Sequence, residues 1–201
     1  MIFYTFIIAF IFVFLAELGD KTQILILSFA SKVKIYNILL GIAIGSFLSH
    51  GIAILFGSKI ASLENNSILY ILKNLTYITF IVLGIISLIS KDTPKTNNKI
   101  FKKIGNTSGN YILIIAICIM IGEIGDKTFL TSIGLGIEYS SYKIPLVIGA
   151  ILGMVASNSI AIFFGKFLEK SISDKHIKII SSLIFIVFGI LSILIQKNNH
   201  Q

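Results

Sequence analysis

Six stretches of this chain are continuously apolar over lengths suited to a bilayer: Ile2–Ala30, Tyr36–Ile60, Tyr70–Ser90, Tyr111–Ile137, Ile144–Leu168 and Ile177–Ile195. About 20 apolar residues carry an α-helix across the ~30 Å hydrocarbon layer. Backbone groups cannot bond to lipid, so only helices or a closed barrel can span it. The runs do not alternate apolar and polar residues as barrel strands do, so helices are expected. The hydrophobic share of the chain, 55%, also exceeds the ~45–50% of soluble domains. No basic stretch precedes the first run, which outlasts the ~7–15 residues of a signal-peptide core and has no small-x-small cleavage site. It is expected to remain as the first membrane helix.

The formal charge of +8 would suit a nucleic-acid binder, but its placement argues for topology instead. All 17 basic residues are lysine, and alternate connections divide them unequally. Eleven (Lys32, Lys34, Lys91, Lys95, Lys99, Lys102, Lys103, Lys166, Lys170, Lys175 and Lys178) fall on one side, against four (Lys59, Lys73, Lys143 and Lys197) on the other. The positive-inside rule puts the eleven in the cytoplasm and both termini outside. Excess lysine there can also meet anionic lipid headgroups; no nucleic-acid partner is expected. The single cysteine, Cys118, cannot form an intramolecular disulfide and reads as a small buried hydrophobe.

The chain repeats itself. Glu17 recurs as Glu123, 106 residues on; Gly41–Gly57 matches Gly149–Gly165 at an offset of 108; and Phe80–Ile89 matches Phe185–Leu194 at 105. Near-constant offsets mark an internal duplication. The expected organisation is a first three-helix repeat over 1–90, a basic cytoplasmic linker over 91–110 and a second repeat over 111–201. Three is an odd number of crossings, so the second copy enters from the opposite face. The expected fold class is therefore an all-α membrane protein of six transmembrane helices arranged as two inverted three-helix repeats, a recurring transporter design with sites at the repeat interface.

The second helix of each repeat carries a small-residue ladder, Gly41, Gly45, Ser49 and Gly149, Gly153, Ser157. A spacing of four puts each ladder on one helix face and lets a neighbouring backbone approach, so it reads as packing. The polar residues at its upper end, Ser49 and His50 in one half and Ser157 and Asn158 in the other, are candidates for a supporting shell around a central site.

What occupies that centre is the most costly feature of the sequence. ELGDKT (Glu17–Thr22) and EIGDKT (Glu123–Thr128) lie near the midpoints of the first and fourth runs, placing four carboxylates and two lysines at mid-bilayer. Facing lipid, each would cost about 2.5–3.5 kcal/mol, approaching ~18 kcal/mol for six. They are expected to face inward. Helical spacing of i,i+3 and i,i+4 would set Glu17, Asp20 and Lys21 on one face. Gly19 and Gly125 either let a partner helix come close or let the helix unwind and turn carbonyls toward a ligand. Thr22, Thr128 and Gln23 add side-chain oxygens.

Glu17, Asp20, Glu123 and Asp126 are the candidate metal ligands, with Lys21, Thr22, Gln23, Lys127, Thr128, Gly19 and Gly125 in support. Four carboxylates and two ammonium groups leave a formal −2, which a divalent cation or two protons would neutralise. Oxygen ligands suit calcium, magnesium or manganese, and neither motif holds the cysteine or histidine that zinc or copper would favour. Met120, three residues before Glu123, is matched by Phe14 in the other copy and reads as packing. Because burial disfavours charge, ion and protons compete for such a site, which is the basis of antiport. Intrahelical ion pairs such as Glu17–Lys21 are the structural alternative. An intramembrane aspartyl protease using Asp20 and Asp126 is another, but such a dyad has no use for duplicated glutamates and lysines.

Both motifs fit the pattern E-x-G-D-[KR]-[ST], and in a duplicated six-helix chain of this length they resemble the GDT family of cation–proton antiporters. That family includes Golgi and thylakoid manganese/calcium transporters and bacterial manganese exporters. The resemblance implies Mn²⁺ or Ca²⁺ as transported substrate, exchanged for protons, with the motif acids as the metal site. It implies no tightly bound cofactor and no enzymatic activity. The usual bacterial role is manganese export, and the short termini without a long acidic loop point to a bacterial cytoplasmic (inner) membrane. An exporter of a different small solute remains an alternative on the same architecture, and the sequence leaves the oligomeric state open.

Overall fold

The structure is a computed structural model that describes residues 1–18, 20–30, 33–62, 66–89, 110–171 and 174–198. Its elements run α1 (Ile2–Glu17), α2 (Lys21–Ala30), α3 (Ile35–Ser46), a π-helical turn (Phe47–Gly51), α4 (Ile52–Ala61) and α5 (Asn66–Ile89). After the linker come α6 (Tyr111–Glu123), α7 (Lys127–Glu138), a 3₁₀ turn (Ser140–Tyr142), α8 (Lys143–Ser171) and α9 (Asp174–Asn198). The described residues contain no strand. All of the linker 91–110 except Asn110 lies outside the described residues.

Among the described residues, three helical stretches are long and apolar enough to cross a membrane: Ile35–Ala61, Ser67–Ile86 and Ser140–Phe163. Ile2–Glu17, Tyr111–Glu123 and Ser182–Lys197 are apolar but shorter. The first two of these are short because the chain breaks at each acidic motif. With 16 residues, α1 rises about 24 Å, so it needs α2 beyond the break to complete a ~30 Å crossing. Apolar side chains also line the outside. On α5, Ile71 (63% exposed), Leu75 and Ile78 form one outward stripe at helical spacing, with Val82 and Ile86 above. Such a surface belongs against lipid acyl chains.

The main helix pairings all join a helix from residues 2–89 to one from 111–198: α1 with α8, α3 with α6, α4 with α7, and α5 with α9. The small-residue ladders form the seams. A Cβ on Gly45 would stand 2.6 Å from the Ala116 carbonyl oxygen on α6, and one on Gly153 would stand 2.6 Å from the Phe10 oxygen on α1. Gly41 meets Ile112 and Ile115, while Gly149 meets Phe6 and Ala9, partners that differ by the 106-residue motif offset. On the third pair, Gly84 rests on Ser182 and Ile186, and Gly189 rests on Tyr77 and Ile81. These contacts bear out the packing role expected of the ladders.

Below the motifs, Phe12 of α1 meets Phe188 and Phe185 of α9 with ring centroids 4.7 and 5.0 Å apart, and Phe80 of α5 closes the cluster. Edge-on aromatic packing of this kind contributes beyond its buried area. It braces the α5–α9 pair against α1 just over one turn before Glu17. Cys118 is buried within α6, as a small hydrophobe would be.

Candidate ion-binding site

The continuous helical face expected across each motif does not form, because both helices stop at the glutamate. Leu18 has φ −59° and ψ 122°, and Ile124 has φ −60° and ψ 121°. The amide of Asp20 donates to the Glu17 carbonyl at 3.0 Å, and that of Asp126 donates to the Glu123 carbonyl at 3.0 Å. Gly125 has φ +82°. Extended ψ at the second residue, positive φ at the third and a first-to-fourth hydrogen bond define a type II turn, whose third position favours glycine. A Cβ at Gly125 would meet nothing within 4 Å. Of the two roles open to this glycine, it therefore serves the turn and not close packing. Gly19 and the Lys21 side chain lie outside the described residues.

Each break leaves the carbonyl end of one short helix and the amide end of the next side by side at the motif. The first offers partial negative charge and the second partial positive charge, the arrangement by which discontinuous membrane helices hold ions. Asp126 is the N-cap of α7 but makes no side-chain cap bond, so its carboxylate is turned to other use.

Glu17 and Glu123 are both fully buried. The Thr22 hydroxyl donates to Oε1 of Glu17, and the Thr128 hydroxyl donates to Oε2 of Glu123, the same bond in both copies. Side chains then bridge the two halves. Lys127 Nζ lies 3.1 Å from Asp20 Oδ2, Asn158 Nδ2 donates to Glu17 Oε1 at 3.4 Å, and Gln23 Nε2 donates to Ser157 Oγ at 2.8 Å. The structure thus assembles Glu17, Asp20, Thr22, Gln23, Lys127, Ser157 and Asn158 around the first break, with Glu123 and Thr128 at the second.

The other supporting candidates turn elsewhere. Ser49 donates back to the Gly45 carbonyl of its own helix at 3.1 Å. His50, in the π-helical turn, pairs Nδ1 with Ser132 Oγ at 3.1 Å. Ser132 is a buried partner that the motifs did not point to; the available signal was its position one helical turn after Thr128. Among the described residues no three or more of histidine, cysteine, aspartate and glutamate converge as a metal cluster. An ion held at these breaks must therefore draw on hydroxyl, amide or backbone oxygens as well as carboxylates. Such hard donors are the set used for calcium, magnesium and manganese.

Comparison with known proteins places this arrangement. The model of the divalent cation/proton antiporter GDT1 family matches residues 5–95 and 111–200. The chain belongs to the GDT1 family. The matched stretches take in both motifs and leave out most of the basic linker between them. A Vibrio cholerae protein named as a proposed manganese exporter is 30% identical over 153 residues, covering 76% of this chain and 72% of that protein. GDT1-like protein 5 of rice (Oryza sativa subsp. japonica) and of Arabidopsis thaliana are each 34% identical over 73 residues, 36% of this chain and 31% of each plant protein. No solved structure matches. Membership of the GDT1 family makes this an ion-transporting membrane protein, and the protease alternative loses its support.

Proposed function

We propose that the chain carries Mn²⁺ or Ca²⁺ across the membrane in exchange for protons, with manganese export from the cytoplasm as its working direction. The observation that carries this reading is the meeting of two broken helices whose acids are held across the halves, Asp20 by Lys127 and Glu17 by Asn158. In this reading the ligands are drawn from Glu17, Asp20, Glu123 and Asp126, no three of which are grouped to hold an ion among the described residues, together with the Thr22 and Thr128 hydroxyls. With two lysines the four carboxylates carry a formal −2. A divalent cation neutralises that charge, and when it leaves, two protons do so instead. In a low-dielectric interior neither an over-filled nor an empty charged site is tolerated, so the two occupants alternate.

The same reading divides the chain into a repeat over 1–90, a cytoplasmic linker over 91–110 and an inverted repeat over 111–201, with six crossings and both termini outside. Support comes from the lysine asymmetry between connections and from seam contacts that exchange under the repeat offsets, as at Gly84 and Gly189. α1–α2 and α6–α7 each form one interrupted crossing. Rocking of one repeat on the other along the glycine seams opens the site to each face in turn. The Vibrio relative favours the bacterial inner membrane and the manganese assignment. In this reading the protein acts on no covalent bond: it carries cation and protons and contacts the surrounding lipid.

Growth provides the test. Cells lacking the protein become sensitive to added manganese; the wild-type gene restores tolerance, and Asp126→Asn does not, although the variant reaches the membrane in equal amount. Equal rescue by the variant would contradict the reading.

A further inference from the structure

The two halves are alike in motif and in where the helix stops but differ in what faces the glutamates. Asn158 and His50 are matched at the 108-residue offset, and both are fully buried. His50 is directed to Ser132, whereas Asn158 sits against Glu17. The orientation of the Asn158 amide is fixed by chemistry. One end faces the Met154 carbonyl at 3.0 Å, which only accepts, and Glu17 Oε1 at 3.4 Å. The nitrogen must therefore occupy that end, since an oxygen there would oppose the carbonyl. Oδ1 is consequently turned away from both. It has no hydrogen-bond partner among the described residues, and neither does Glu17 Oε2.

Two buried oxygen acceptors on adjoining side chains, each without a donor, are costly unless something positive lies between or beside them. We propose that Asn158 is a direct ligand of the transported divalent cation through Oδ1, so that the ion sits on the Glu17 side of the repeat interface and Asn158 sets which ion is accepted. This rests on the transport reading above and extends it by assigning one further ligand and an off-centre ion.

The side chain is built for that role. Its nitrogen is tied at two points, and the neighbouring Ser157 is clamped by Gln23 through both Oγ (2.8 Å) and the carbonyl oxygen (3.3 Å). That clamp joins α8 to α2 at the break. A ligand pinned in this way needs little reordering when the ion arrives. A neutral amide oxygen adds a hard donor without adding charge, so the formal −2 of the site still matches one divalent ion. The second half has no counterpart to the clamp: Phe129 stands where Gln23 does, and Ser49 bonds to its own helix.

The test uses the full-length protein in proteoliposomes, with initial rates of Mn²⁺ and Ca²⁺ uptake measured under a fixed pH gradient. Asn158→Ala is expected to raise KM for manganese by about tenfold or more, the lower end of what even outer-shell partners of a metal contribute. Asn158→Asp keeps an oxygen in place but adds charge; it is expected to recover part of that loss while changing the ratio of the manganese and calcium KM values. A residue that merely packs would lower the amount of active transporter and leave both KM values and their ratio where they were. That result in Asn158→Ala overturns the assignment. If the alanine variant does not insert, Asn158→Asp decides, and an unchanged KM ratio overturns it equally. Wild-type protein that moves neither ion removes the transport reading and this inference together, whereas wild-type transport with indifferent variants removes the inference alone.

Discussion

Gly125→Ala separates backbone geometry from packing more cleanly than any other change in this protein. The residue has φ +82°, and an added Cβ meets nothing within 4 Å, so the methyl group introduces no clash. What remains is the penalty of an L-residue in left-handed backbone, about 1–2 kcal/mol. For a chain of this size, 1 kcal/mol corresponds to roughly 2–4 °C in the midpoint of thermal unfolding, so a fall of roughly 2–8 °C is expected. Asparagine tolerates positive φ better than alanine, and a β-branched residue tolerates it worst. The expected order of midpoints is therefore Gly, Asn, Ala, Val, measured by thermal unfolding of the detergent-solubilised protein. Transport should follow the same order, because the turn sets where Glu123 and Asp126 stand. An alanine variant indistinguishable from wild type, or an asparagine variant worse than valine, would refute the type II turn and with it the reason for a glycine in the motif.

Two further perturbations probe what surrounds the turns. Gly153→Ala drives a Cβ to 2.6 Å from the Phe10 carbonyl oxygen, a backbone contact that cannot yield without separating α1 from α8; its midpoint should fall further than that of Gly125→Ala. Lys127→Met removes the lysine partner of the Asp20 carboxylate, a change that costs about 3–5 kcal/mol for a fully desolvated pair, and less here because the lysine is about a third exposed. Adding Asp20→Asn to Lys127→Met should restore part of the lost stability, and unfolding midpoints of the two single variants that simply add would show that the pair is not coupled.

Some of this was readable in the sequence for physical reasons. Charges in an oily run have few tolerable locations, so the motif acids are expected to face inward, and Glu17 and Glu123 are fully buried. Glycines four apart leave a groove that only a close helix fills, and Gly41, Gly45, Gly149 and Gly153 do face a neighbour's backbone. Which neighbour was not readable, since a groove accepts any smooth partner, and here it takes one from the other half. The breaks were ambiguous because apolar residues continue on both sides of each motif, and glycine is tolerated within membrane helices. The inequality of His50 and Asn158 was hidden altogether. The two segments align without a gap, yet Phe47–Gly51 forms a π-helical turn while 155–159 stays α-helical. One wider turn rotates the following side chains, and FLSHG carries no local signal for it.

The central claim is that the paired motifs form one site exchanging a divalent cation for protons. Purified protein in liposomes, loaded with a manganese-sensitive dye and given an imposed pH gradient, tests it directly. Manganese should enter when the liposome interior is acid relative to the medium and slow when the gradient is collapsed by an ionophore, and either Asp20→Asn or Asp126→Asn should abolish entry. Uptake that ignores the gradient and survives both substitutions would contradict the account.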